Sequence, residues 1–275
     1  MTPLPRAKML IGMIHVAALP GSPANVLGVR AIVEQARREA RILAGAGFDA
    51  VMIENMHDRP YIHGTHPAHT VALMTSVAIA VREQAPDLPL GVQILSGGSA
   101  EAIAVALAAA AVNTTKKTPM SFIRCENFVF SHVADEGLLA KAEAGPLLRY
   151  RRSIGAGHIA VFTDIKKKHA SHAITGDVTI GEMAEAAEFF GSSGVIVTGP
   201  STGKPVDMSE LQQVRQATAL PVLVGSGVTP ETVGPLFEHA DALIVGSWFK
   251  KDGVWSNPPD PKRCRSLARA VEKAR

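Results

Sequence analysis

Pro221-Val222-Leu223-Val224-Gly225-Ser226-Gly227-Val228-Thr229-Pro230, and shortly after it Ala240-Asp241-Ala242-Leu243-Ile244-Val245-Gly246-Ser247, set two short aliphatic runs against glycine turns. Runs this short, with no polar alternation, read as strands buried on both faces, the mark of a parallel sheet covered by helices. Each ends on glycine, where a backbone N–H can approach a ligand without a Cβ in the way. Thr229-Pro230-Glu231 predicts a helix start immediately afterwards: Thr229 as N-cap, Pro230 at the first helical position and an acid in the first turn.

The same strand, turn and helix unit recurs along the whole chain. Strands are expected at 9–15, 50–54, 90–95, 122–126, 158–164, 195–198, 222–225 and 243–246, with amphipathic helical stretches such as 31–44, 71–84, 101–111, 180–190 and 209–217 between them. Eight such units close a (β/α)8 barrel. No linker interrupts them, so one domain over residues 1–275 is expected. A doubly wound open sheet would usually carry G-x-G-x-x-G after its first strand, but here His15 is followed by Val-Ala-Ala-Leu-Pro-Gly-Ser-Pro, which suits neither a dinucleotide nor a P-loop.

Composition narrows the function classes. The chain has 275 residues, 47% hydrophobic and 19% charged, and a formal charge of only +3 with Lys166-Lys167-Lys168 as its tightest basic run, so nucleic acid is not implied. Cys125 and Cys264 have no metal-like spacing, and a chain this large needs no disulfide staple, so a reducing compartment is expected. The apolar run 9–15 is too short to span a bilayer and no cleavage site follows it, which predicts a cytoplasmic protein without membrane insertion. No motif asks for a cofactor. Homo-oligomerisation is open, with Trp248, Phe249 and Trp255 as interface, lid or simply buried aromatics.

A barrel carries its chemistry at the C-terminal ends of its strands, where alternate residues face the axis. On the fourth strand that parity turns Arg124 and Glu126 inward, and on the fifth Phe162, Asp164 and then Lys166. Glu54, Gln93 and His15 face the axis from the second, third and first strands. Buried charges must be paired or used; Arg124 with Glu126 and Lys166 with Asp164 are the pairs expected, and as a structural plug these pairs would need no function at all. His57, His63, His66 and His69 share one segment without a recognised metal-ligand spacing, and no metal is assigned. His169 and His172 lie in a loop expected to cover the mouth, with Gly176 and Gly181 allowing it to move.

Three turns carry the anion-site reading: Val197-Thr198-Gly199-Pro200-Ser201-Thr202-Gly203, Val224-Gly225-Ser226-Gly227 and Val245-Gly246-Ser247. Thr202, Gly203, Gly225, Ser226, Gly227, Gly246 and Ser247 are the candidate phosphate-binding residues, since loops seven and eight wrap one phosphate in many barrels. A single tight turn would need no ligand to explain it. The last two turns also resemble the phosphate-binding strands of the tryptophan synthase α subunit.

Across the chain, Ile11-Gly12-Met13-Ile14-His15 with Leu19-Pro20-Gly21-Ser22-Pro23, Gly47-Phe48-Asp49-Ala50-Val51-Met52-Ile53-Glu54-Asn55, Phe122-Ile123-Arg124, Leu148-Arg149-Tyr150-Arg151 and Val161-Phe162-Thr163-Asp164-Ile165-Lys166-Lys167-Lys168-His169 resemble the BtpA/SgcQ family. The resemblance continues through the three glycine turns to Asn257-Pro258 and Asp260-Pro261. Phe128-Val129-Phe130-Ser131-His132-Val133-Ala134-Asp135-Glu136-Gly137 is similar to the eukaryotic branch. The family is named for a cyanobacterial protein required for photosystem I accumulation, and other members lie among sugar-utilisation genes, so the resemblance implies the fold and leaves the reaction open. One departure is the polar stretch 112–120, where the family has a short Gly-x-Asp turn; between a helix and a strand start, it is expected on the face opposite the site.

Together these readings point to an enzyme of lyase, aldolase or isomerase type acting on a small phosphorylated metabolite. Asp164, Lys166, Glu54, Arg124, Glu126 and His15 are the candidate catalytic residues. Lys166 is a Schiff-base candidate or a partner for phosphate or carboxylate, Asp164 or Glu54 a proton shuttle, and Arg124 a holder of a carboxylate or enolate oxygen. The rivals are an accessory factor using the barrel as a binding scaffold and metal-assisted hydrolysis by the histidine-rich segment.

Overall fold

The computed structural model describes residues 4, 8–112 and 120–275. Its centre is a closed barrel of eight parallel strands, Met9–His15, Ala50–Glu54, Leu90–Gln93, Ser121–Cys125, Ala160–Ile165, Gly194–Val197, Val222–Val224 and Ala242–Val245, each beside its sequence neighbour and the first beside the last. All of the expected strands form. The stretch 112–120 falls almost wholly outside the described residues; Met120, at its end, packs beneath the barrel interior.

Two apolar layers result from strand alternation. Met9, Ile11, Met13, Met52, Phe122, Phe162, Leu223 and Ile244 fill the barrel axis, while Leu10, Ile14, Val51, Ile123, Val161 and Val195 face the helices. The ladder sets Arg124 beside Phe162 and His15 beside Glu54, so inward residues of neighbouring strands meet at the same height.

The helices start and stop where side chains satisfy their ends. Val29–Ala46 ends at Gly47 in the left-handed region, Thr179 and Glu182 form a capping box on Ile180–Phe189, and Asp260 caps Pro261–Ala274 with proline in the first turn. Gly181 lies inside Ile180–Phe189 and is no hinge for the preceding loop. Above the mouth, His132–Ala134, Gly137–Leu139 and Ala170–Ser171 pair as a small antiparallel sheet joining the loops after the fourth and fifth strands.

Candidate active site at the barrel mouth

The turns after the sixth, seventh and eighth strands enclose a cavity of about 140 Å³, and Thr202, Gly203, Gly225, Ser226, Gly227, Gly246 and Ser247 all line it. Gly227 takes φ 69°, and a Cβ there would lie 2.2 Å from the Cα of Pro205. At Gly246 a Cβ would come within 2.9 Å of His15 Nε2. The Ser226 hydroxyl is committed to the scaffold, accepting from the Gly199 N–H and donating to the Lys204 carbonyl. Among the described residues no acceptor takes the N–H groups of Gly227 or Ser247.

The helix expected at Thr229 starts later. Val233–Leu236 is a single turn with Thr232 at its N-cap, because the Thr232 hydroxyl accepts the Thr229 N–H and holds 229–232 as a turn. The residues that line the cavity at this turn therefore belong to a loop rather than to a helix end.

A second cavity of about 300 Å³ continues from the first and shares Glu54, Met56, Arg124, Lys168 and Thr202 with it. Its walls include Gln93, Glu126, Lys167, Arg59, Tyr61 and Trp255. The Gln93 Oε1 is buried without a partner among the described residues.

Both expected charge pairings are corrected. Arg124 makes a bidentate pair with Asp164, Nε to Oδ2 at 2.8 Å and Nη2 to Oδ1 at 2.7 Å. Asp164 stands one inward position beyond Phe162, the ladder partner of Arg124, so the adjacent strand supplies the nearer carboxylate. Glu126 instead pairs with Lys167 at 3.4 Å and accepts the Gly97 N–H. Asp164 lines neither cavity; it orients Arg124 and is not exposed as a proton shuttle.

Lys166 does not follow the inward parity. Its φ of 49° turns the chain just past the strand end, and its ammonium lies 3.8 Å from Glu210, lining neither main cavity. Lys168, two residues on, enters both cavities in its place. Burial, reinforced by Arg124, holds the Lys168 ammonium below the ordinary lysine range.

His15 and Glu54 lie side by side in the wall of the first cavity. Burial, with Lys250, keeps the His15 pKa well below the usual histidine range, and burial raises that of Glu54. The neutral His15 donates from Nδ1 to the Trp255 carbonyl at 2.9 Å, which leaves Nε2 unprotonated, 3.7 Å from Glu54 Oε2. Trp255, half-buried, holds the upper side by contacts with the His15 ring at 5.7 Å, the His57 ring at 4.9 Å and the Arg59 guanidinium at 5.0 Å. Phe249 is a core residue packed on Phe48, and Trp248 lies under Arg263.

His169 ties the cover to the sixth loop. Its Nε2 accepts from the Thr202 N–H at 3.1 Å and faces the Thr202 hydroxyl at 3.0 Å, leaving Nδ1 toward Asp135 at 3.8 Å. The histidines of the second loop diverge: His57 stacks on Trp255, His66 bonds the Ser96 carbonyl, and His69 packs against Gly21. Among the described residues no group of three or more His, Cys, Asp or Glu side chains is placed to hold a metal.

His132 makes the stability of this cover depend on pH. Burial, then Lys167 and His172, lowers its pKa to about 4, and its Nε2 has no partner among the described residues. Below the unfolded value of roughly 6.5 the unfolded chain binds a proton that the folded chain refuses, so stability falls as pH drops from there toward 4. Melting temperatures read between pH 7 and 4.5 should decline, less steeply in His132→Asn; identical slopes would refute the assignment.

A closed parallel barrel with a glycine-lined cavity and a charged cleft at the C-terminal ends of its strands is the architecture of (β/α)8 barrel proteins. The model of the BtpA family matches residues 6–273, and the chain belongs to that family. The mitochondrial protein F13E9.13 of Caenorhabditis elegans is 43% identical, covering 96% of this chain and 92% of its own. The photosystem I biogenesis protein BtpA of Synechocystis is 28% identical over 95% of this chain and 87% of its own. The higher identity to the animal protein agrees with the eukaryotic-type segment at 128–137. Among solved structures, thiamine phosphate pyrophosphorylase from Pyrococcus furiosus aligns with TM-score 0.55 at 13% identity, covering 98% of both chains. Orotidine 5'-phosphate decarboxylase from Pyrococcus horikoshii aligns with TM-score 0.54 at 10% identity, over 96% of this chain and 99% of that one; at these identities the likeness is one of fold. Among the described residues no helix is long and apolar enough to cross a membrane.

Proposed function

We propose that this barrel is an enzyme of lyase or isomerase type acting on a small phosphorylated metabolite. The observation that carries the reading is the continuity of the two cavities. A glycine-lined pocket with unused N–H groups opens, past Arg124 and Lys168, into a cleft holding a neutral histidine beside a carboxyl of raised pKa. In this reading Gly203, Gly225, Gly227, Gly246 and Ser247 cradle the phosphate, Glu54 and His15 exchange protons with the substrate, and Arg124, fixed by Asp164, holds an oxygen that gains negative charge. The names of the two aligned enzymes above, each acting on a phosphate compound, agree with it. Buried, unpaired Cys125 and Cys264 suit a reducing compartment such as the cytoplasm; the worm relative's mitochondrial label makes cell fractionation the check.

Ligands that bind only the folded chain raise its melting temperature. Phosphorylated sugars and nucleotides should do so while their dephosphorylated counterparts do not. Gly246→Ala, whose methyl would press on His15 Nε2, should weaken the binding by roughly tenfold or more, about 1.4 kcal/mol. Equal shifts from both members of each pair would refute the phosphate reading.

A scaffold reading, as the name of the Synechocystis relative suggests for that protein, is favoured by one observation. Phe189 and Phe190 stand 86% and 52% exposed at the end of Ile180–Phe189. It requires that Phe189→Ser with Phe190→Ser abolish biological activity while Glu54→Gln leaves it intact; the enzyme reading requires loss with Glu54→Gln.

A further inference from the structure

The run Lys166-Lys167-Lys168 divides into two paired lysines and one that is not. Lys166 lies 3.8 Å from Glu210, and Lys167 lies 3.4 Å from Glu126 and 3.6 Å from Glu136. Lys168 has no carboxylate within 4.0 Å among the described residues, yet it lines both the glycine pocket and the charged cleft. Arg124, which lines the same two cavities, acts on it as a like charge against the individually weaker opposing pulls of Glu54, Asp164 and Glu126, and the Asp164 carboxylate is committed to Arg124. A lysine kept only for charge is best served by a carboxylate partner; one desolvated next to a second cation is set up to lose its proton and act as a nucleophile.

We propose that Lys168 forms a Schiff base with an aldehyde or ketone carbonyl of the substrate, while the phosphate of the same molecule occupies the glycine pocket. This rests on the phosphate reading above and narrows the substrate class to phosphorylated carbonyl compounds. The neutral Nζ adds to the carbonyl carbon, and one of its protons passes to the carbonyl oxygen to give a carbinolamine. The carbon–oxygen bond breaks as protonated Glu54 gives its proton to the departing hydroxyl, so that water leaves and a protonated imine remains. Ionised Glu54 then takes a proton from the carbon next to the imine, and the electron pair released forms an enamine, ready for reprotonation or for carbon–carbon bond formation. His15 Nε2, 3.7 Å from Glu54 Oε2, is the neighbour that accepts or returns that proton.

The test is reductive trapping with borohydride on the whole protein, using dihydroxyacetone phosphate and, separately, pyridoxal 5'-phosphate as probes. Peptide mass spectrometry should locate one stable adduct, on Lys168. The adduct should be suppressed by excess inorganic phosphate and be absent from a folded Lys168→Met variant; the mapped wild-type adduct carries the test if that variant does not fold. A thermal shift with inorganic phosphate but no Lys168 adduct would overturn the Schiff base and leave the phosphate site standing. Neither shift nor adduct would remove the phosphate site itself, and adducts scattered over surface lysines, indifferent to phosphate, would overturn the nucleophile.

Discussion

Asp164→Ala is expected to lower the unfolding free energy by about 3–5 kcal/mol and to abolish the stabilisation given by phosphorylated ligands. The Asp164 carboxylate and the Arg124 guanidinium are 1% and 4% exposed, joined by two hydrogen bonds. Removing the carboxylate leaves a guanidinium in a low-dielectric setting with no counter-charge at hydrogen-bonding distance. Glu54 and Glu126 also bear on Arg124 electrostatically, which softens the loss but supplies no second fork. Asp164→Asn, which keeps the shape and one acceptor, should cost less than Asp164→Ala. Urea unfolding with the slope held constant measures both. A loss below about 1 kcal/mol, typical of exposed pairs, would mean that solvent reaches the pair and that Asp164 does not position Arg124. The ligand effect follows from the same geometry: a guanidinium freed from Asp164 can swing toward Glu54, filling the passage between the two cavities.

That pair also marks where the sequence stops being readable. His15, Glu54, Gln93, Arg124 and Asp164 reach the axis as their parity predicts, because alternation is a geometric property of an extended strand and each lies within or beside one. Partner choice is not local in that way. Glu126 is near Arg124 in sequence, but the ladder brings Asp164 closer from the next strand. Lys166 lies beyond Ile165, where a left-handed residue ends the alternation, and no residue-type preference announces that a lysine will adopt it. The same kink carries Lys168 into the cleft. Tyr61 and Trp255 come from long loops without periodicity, so only the folded chain places them on the wall. The glycine turns were legible for the opposite reason. The close approaches at Gly227 and Gly246 exclude a Cβ, and the sequence records that exclusion directly.

Lys250→Ala should destabilise the protein by about 3–5 kcal/mol, while Lys250→Met combined with Glu39→Leu should be neutral or stabilising. Lys250 Nζ lies 2.7 Å from Glu39 Oε2, with the side chains 1% and 5% exposed. The pair joins the loop after the eighth strand to the helix Val29–Ala46. Desolvating both ions offsets much of their attraction, so apolar side chains of similar volume can replace the pair. Removing one partner strands the other. Lys250→Met alone, which keeps the volume but strands Glu39, separates the two causes: it should lose nearly as much stability as Lys250→Ala if the buried ion pair matters, and little if only packing does. The effect should also reach the site, since the same loop carries Ser247 on one side of Lys250 and Trp255 on the other. The Trp255 carbonyl fixes the tautomer of His15. In Lys250→Ala the loop loses its anchor, so the phosphate-induced thermal shift should fall along with stability, and in the double variant, where the loop is held by packing, both should return. Recovery of stability without recovery of the ligand shift would show that Lys250 acts on His15 through its charge, because the apolar pair restores the anchor but not the cation that lowers the His15 pKa.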